Sequence, residues 1–261
     1  MCTLILGLGI LGPGSVLLGA NRDESPKRPS SDPGVLVEAP RVVGGRDLVS
    51  GGTWLAVREA RFVTALMNRR PVAGDKRDPA TLRSRGMLCL DVAAGRDPGG
   101  AGSAAADSHL DHALRLVKRD PYAPCTLVGV GVDGEGWALH AGPSEPLVHA
   151  IPRGWHVITH REVDDPSEPR TKWLLEQIAE RRPWSVDEAF GLIAGYLRSH
   201  GEGGTPPVCL HRELFPTVSS SMLALGMSGG PRYLHAPGPP CVTEYRDYSS
   251  LLQTGGNARD R

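Results

Sequence analysis

The clearest chemical signal in this chain is a cysteine at its second position, followed about one hairpin later by a polar tetrad. Met1-Cys2-Thr3 opens into an apolar run, and Asn21-Arg22-Asp23-Glu24 interrupts hydrophobic sequence with no turn signal inside it. A small residue after the initiator permits its removal, which would leave Cys2 with a thiol and a free α-amine on one carbon. The amine titrates near about 7.7 to 8.0 and the thiol near about 8.5, so at neutral pH the free amine can take the thiol proton, directly or through water. One residue then supplies both nucleophile and base. That is the chemistry of acyl transfer.

The elements that must position these groups follow from the apolar pattern. Residues 3–10 and 15–20 are short apolar runs joined by Leu11-Gly12-Pro13-Gly14, which reads as a buried antiparallel hairpin. Pairing across that turn sets the start of the first strand opposite the end of the second, where Arg22 and Asp23 sit. Gly51-Gly52-Thr53-Trp54 leads into a second hairpin, residues 55–58 and 61–67, which ends at Asn68-Arg69-Arg70-Pro71. The Pro-rich stretch 25–41 reads as an ordered surface loop.

Helical spacing is expected over residues 84–94, 104–118, 170–182 and 186–200, the last behind a capping Ser185. Residues 125–132, 136–141 and 147–151 read as an antiparallel meander that continues at 155–159, and closing strands are expected around 208–210, 218–225 and 232–236. Residues 255–261 lack apolar side chains and are expected to fray. The order of strands, helices, strands, helices, strands implies one α+β domain over residues 1–261, with antiparallel sheets and segregated helices.

Composition excludes several classes. Lys+Arg and Asp+Glu both number 29, so no net field gathers nucleic acid or an anionic membrane surface. The cysteines at 2, 89, 125, 209 and 241 are odd in number and widely spaced, which fits a reduced compartment, and a cytoplasmic location is expected. The apolar stretch 4–20 has no preceding Lys or Arg and is interrupted by Gly and Pro, unlike an export signal or a membrane span.

No metal is expected from the closely spaced histidines. On a strand, His156 and His160 would lie about 13 Å apart, too far for one zinc, and His109 and His112 share a solvated helix face with acids. Gly7-Leu8-Gly9 followed by Gly12 spells a nucleotide fingerprint, but inside a hairpin rather than a strand-to-helix turn.

Taken together, Met1-Cys2-Thr3, Asn21-Arg22-Asp23-Glu24 with Arg28-Pro29-Ser30, Gly51-Gly52-Thr53-Trp54 and Leu66-Met67-Asn68-Arg69-Arg70 resemble the NRDE proteins, the transport and Golgi organisation 2 family. Ser84-Arg85-Gly86, Thr159-His160 and Thr217-Val218-Ser219-Ser220-Ser221 extend the resemblance over nearly the whole chain. The family is similar to cysteine N-terminal-nucleophile hydrolases of the penicillin V acylase and bile salt hydrolase branch. That implies a four-layer αββα sandwich without a cofactor.

By this resemblance Cys2 is the nucleophile, Arg22 holds its thiolate and Asp23 binds its α-amine. The oxyanion Asn of the acylases falls at Thr159-His160, so His160 stands in its place, with Asn68 and the backbone around Thr53 as further donors. Asn21, Thr53 and Trp54 are the expected substrate-binding residues. The implied activity is an amidohydrolase or acyltransferase acting on a small amide or ester through an acyl-enzyme. The alternative is a non-catalytic carrier of haem, lipid or acyl-CoA on the same fold.

Overall fold

The computed structural model describes residues 2–96 and 108–253, and its elements are organised by two antiparallel sheets. The first sheet is built from β1 (Thr3–Leu8), β2 (Val16–Asp23), β10 (Gly154–Ile158), β11 (Thr217–Leu225), β12 (Arg232–Ala236) and β13 (Arg246–Asp247), in the order β10-β1-β2-β11-β12-β13. The second runs in chain order through β3 (Gly34–Val37), β4 (Val42–Gly44), β5 (Leu55–Arg58), β6 (Phe62–Asn68), β7 (Cys125–Gly131), β8 (Gly136–Ala141) and β9 (Leu147–Ala150). Two-residue alternation decides what each face meets. Leu4, Leu6, Leu8, Val16 and Leu18 pack against Val57, Val63 and Val128 between the sheets, while Ile5, Leu17, Val157, Met222 and Ala224 face outward.

The outward faces are covered by helices. α3 (Pro169–Ile178) and α4 (Val186–Leu197) bury Leu174, Ile178, Phe190 and Ile193 on the first sheet. α1 (Arg85–Ala94) and α2 (His109–Arg119) bury Leu88, Val92, Ala113 and Leu116 on the second. The result is an αββα sandwich, the expected architecture. Ser185 caps α4, its hydroxyl accepting from the Glu188 amide at 3.1 Å.

Several expectations are corrected. The loop 25–41 contains β3, which pairs with β4 through a register shift and is too short for alternation to reveal it. β10 does not continue the meander: it pairs with β1 in the other sheet, Leu4 opposite Ile158, after Pro152 and Gly154 turn the chain away from β9. Residues 208–210 form no strand, and β13 was not foreseen. The expected helix 104–118 is described from residue 108, its earlier residues and the tail 255–261 lying outside the described residues. Among the described residues no helix is long and apolar enough to cross a membrane.

His235 on β12 gives the sandwich a measurable acid sensitivity. It is 2% exposed, with Nδ1 2.9 Å from the Ser221 hydroxyl, and burial pushes its pKa from 6.5 down to about 4. Between those values the unfolded chain binds a proton that the folded chain refuses. This one group therefore contributes stability that is complete above pH 6.5 and falls by about 3 kcal/mol as the pH drops to about 4. Urea titrations at stepped pH should show a shallower acid loss for His235→Gln than for wild type.

Candidate functional site

The register of the first hairpin places the nucleophile candidate. Thr3 pairs with Asn21, so one step outward Cys2 lies beside Arg22. Cys2 continues the face of Leu4 and Leu6 and packs against the core between the sheets. Its Sγ points to the Asp23 carbonyl oxygen at 3.8 Å, and it lines a cavity of about 330 Å³ with Arg22, Thr53, Trp54, Asn68 and Arg85.

Arg22 is held over the indole of Trp54, its guanidinium carbon 4.4 Å from the ring centroid, and Nη1 donates to the Ser30 hydroxyl at 3.4 Å. Burial pushes the Cys2 thiol above its ordinary value and Asp23 adds to this. The positive amino terminus, the hydrogen bond to the Asp23 carbonyl and Arg22 oppose it, Arg22 least. A proton acceptor is therefore needed before attack.

Asp23 lies on the opposite face of β2, behind the thiol. Its side chain is fully buried; Oδ1 accepts from the Thr217 hydroxyl at 2.7 Å, and Oδ2 is 3.9 Å from Nη1 of Arg170. Arg170, in the first turn of α3, also donates to Thr3 Oγ1 at 2.7 Å. Burial raises the Asp23 pKa, while the positive amino terminus, Thr217 and Arg170 draw it back. That amino terminus is Met1's, and Asp23 would stabilise an ammonium on Cys2 once Met1 is removed.

Asn21 belongs to the same helix-facing row, and Nδ2 donates to the Leu197 and Val208 carbonyls at 2.9 and 3.1 Å. Asn21, expected to bind substrate, ties β2 to α4 and the segment behind it and does not line the Cys2 cavity.

The wall opposite Cys2 is the segment 45–54. Asp47 Oδ1 accepts the amides of Val49 and Ser50 at 2.9 and 3.0 Å, while Oδ2 pairs with Nε of Arg28 at 2.7 Å, which explains the Arg that follows the tetrad. Thr53 lines the cavity, but its amide donates to the Gly86 carbonyl at 3.0 Å and its hydroxyl to Gly45 at 2.7 Å, so neither donor serves an oxyanion. Asn68, the last residue of β6, is exposed and lines the cavity with Cys2. Among the described residues its side chain makes no hydrogen bond, which leaves its amide available.

Gly52 lets this wall meet α1. A Cβ there would lie 2.2 Å from the Gly86 carbonyl carbon and 2.5 Å from the Met87 nitrogen, backbone that cannot swing away. Gly52→Ala is expected to destabilise the fold by about 3 kcal/mol, read as a shift of the urea midpoint, with a loss of Cys2 reactivity as the wall is displaced.

His160 is placed elsewhere. It lines a neighbouring cavity of about 540 Å³ with Arg69, Arg70, His140 and Glu162, which shares no lining residue with the Cys2 cavity. Both of its ring nitrogens are buried without a partner among the described residues, and burial, with Arg70, lowers its pKa. The structure brings Cys2, Arg22, Thr53, Trp54 and Asn68 to one cavity with Asp23 behind it, and leaves Asn21 and His160 outside. Arg170 and Thr217, which hold Asp23, carried no role in the sequence reading. A buried Arg at a helix start has no periodic signature, whereas Thr217 heads the Thr-Val-Ser-Ser-Ser motif.

A family model described as transport and Golgi organisation 2 matches residues 1–181. The chain belongs to that family. No curated protein matches the sequence. Among solved structures, it is similar to the Caenorhabditis elegans ortholog of N-acylethanolamine-hydrolyzing acid amidase, at 16% identity and a TM-score of 0.59, over 87% of this chain and 94% of that one. The C2A mutant of conjugated bile acid hydrolase from Clostridium perfringens follows at 14% identity and 0.51, covering 97% and 95%. Penicillin V acylase from Agrobacterium tumefaciens matches at 10% identity and 0.53, covering 97% and 88%. These likenesses show the N-terminal-nucleophile hydrolase fold in this member of the family.

Proposed function

We propose that this chain is an N-terminal-cysteine amidohydrolase or acyltransferase for a small amide or ester, with Cys2 as nucleophile once Met1 is removed. The observation that carries the reading is the placement of Cys2 and Arg22 together in the cavity wall, one step beyond the Thr3–Asn21 pair, with the Asp23 carboxylate behind the same strand end. The freed α-amine takes the thiol proton, and the thiolate forms a C–S bond to the substrate carbonyl. Asn68 donates to the resulting oxyanion, and the ammonium returns its proton to the leaving amine or alcohol as the C–N or C–O bond breaks. Water or an acceptor amine then releases the acyl group and regenerates the thiol.

Trp54 holds Arg22 at the cavity wall, which Arg28, Arg83 and Arg85 also line, Arg28 paired with Asp47 and Arg83 with Asp91 and Asp120. Intact mass of the purified chain, followed by an activated acyl ester or a cysteine-directed probe, tests the proposal. The expected result is a chain lacking Met1 that acylates at Cys2. Retained Met1, or a Cys2 that reacts no faster than the other cysteines, would leave the carrier alternative, which a haem titration then addresses.

A further inference from the structure

Beyond the Cys2 cavity, four metal-ligating side chains converge from three segments of the first sheet's outer side. His200 follows α4, Cys209 and His211 lie on the strandless segment before β11, and Cys241 lies on the loop between β12 and β13. One ligand atom from each lies within 4.8 Å of all the others. Cys209 Sγ and Cys241 Sγ are 3.5 Å apart, His211 Nε2 and His200 Nε2 3.3 Å, His211 Nε2 and Cys241 Sγ 3.2 Å, and His211 Nε2 and Cys209 Sγ 3.9 Å.

A tetrahedral zinc with bonds of about 2.3 Å to sulfur and about 2.05 Å to nitrogen sets its ligand atoms about 3.8 Å (S to S), 3.3 Å (N to N) and 3.6 Å (S to N) apart. The four observed spacings lie within about 0.4 Å of those values, and the remaining two, from His200 to the two sulfurs, lie within 4.8 Å. Hydrogen bonding explains them less well, since His211 Nε2 faces three neighbours and one ring N–H can satisfy only one of them.

We infer that His200, Cys209, His211 and Cys241 form a structural zinc site. Zinc(II) displaces one proton from each thiol and binds two thiolates and two neutral imidazoles, which makes a neutral, closed coordination sphere with no position for substrate. Thiolate and imidazole in tetrahedral array select zinc over the oxygen-seeking cations.

The site pins a segment that the candidate active centre leans on. Val208 and Cys209 donate their amides to the Ser199 carbonyl at 2.9 Å, and the Leu210 amide donates to Thr217 Oγ1 at 2.9 Å. The same Thr217 hydroxyl donates to Asp23, and the Val208 carbonyl receives Asn21. In sequence, residues 208–210 read as a closing strand, and only histidine pairs close in sequence suggest a metal. The set becomes visible only when the loop carrying Cys241 folds back.

The test is metal content and cobalt spectroscopy on the untagged full chain, purified under reducing conditions from zinc-supplemented cells. The expected result is about one zinc per chain, reduced about tenfold or more in Cys241→Ser and in His211→Ala, a change at an exposed residue. Cobalt(II) replacing the zinc should give the strong visible bands of a tetrahedral thiolate site, lost in Cys241→Ser, and a chelator should lower the melting temperature of wild type alone. Zinc-free wild type that gives no thiolate–cobalt band would overturn the site. So would a Cys209–Cys241 disulfide in the freshly purified chain, or zinc content unchanged in both variants.

Discussion

Cys2→Ala is expected to abolish labelling by an activated acyl probe, a fall of about a thousandfold or more, while the melting temperature stays near that of wild type. The magnitude follows from removing the thiol that the mechanism makes the acyl acceptor, with the α-amine left in place. Stability changes little because Cys2 is half-buried at a strand end and makes one long sulfur contact.

Selectivity for Cys2 has a physical basis. Cys89 and Cys125 are buried and their thiols are pushed up to about 12, so they do not compete as thiolates at neutral pH. Cys2 itself is raised by burial, which makes the amine the decisive partner. Labelling rate against pH should therefore follow the amine's deprotonation, with Cys2→Ser retaining the amine and reacting far more slowly. Unchanged labelling in Cys2→Ala would remove the nucleophile from the mechanism.

What the sequence made legible was local. The alternation in β1 and β2 and the turn between them were enough to set Cys2 beside Arg22, because hairpin register needs only strand periodicity and a turn. The Gly-Gly-Thr-Trp segment was recognisable, yet its reason lies in the approach of Gly52 to Gly86, a contact between a loop and a helix start far along the chain. β10 was misplaced because a strand's own residues do not say which sheet it joins. Here β9 forms one sheet's edge and β10 takes the place beside β1.

Arg170 escaped notice for a related reason: helical periodicity treats an Arg as solvent-facing, whereas this one is buried against Thr3 and Asp23. His160 shows the limit of motif position. It occupies the turn where the acylase pattern places its donor, but Asn68 is the residue that reaches the Cys2 cavity.

Asp23→Asn is expected to cost about 3 kcal/mol or more in folding free energy and to slow Cys2 labelling, because the carboxylate does two jobs in one buried place. Structurally it forms an ion pair with Arg170, which is 5% exposed. Neutralising Asp23 leaves that guanidinium in a low-dielectric setting without its carboxylate, although the Thr217 hydroxyl keeps an acceptor.

A double-mutant cycle separates this cost from the chemistry. Asp23→Asn combined with Arg170→Leu should be less destabilised than the two single changes summed, since both members of the ion pair leave together. Chemically, a carboxylate beside an amino terminus favours the ammonium and raises its pKa, so its loss lowers that pKa. The acid limb of the labelling profile should therefore move to lower pH in Asp23→Asn, and the double variant should retain that displacement while recovering stability. A purely structural role for Asp23 predicts the opposite pattern, in which the profile keeps its position and reactivity returns with the fold.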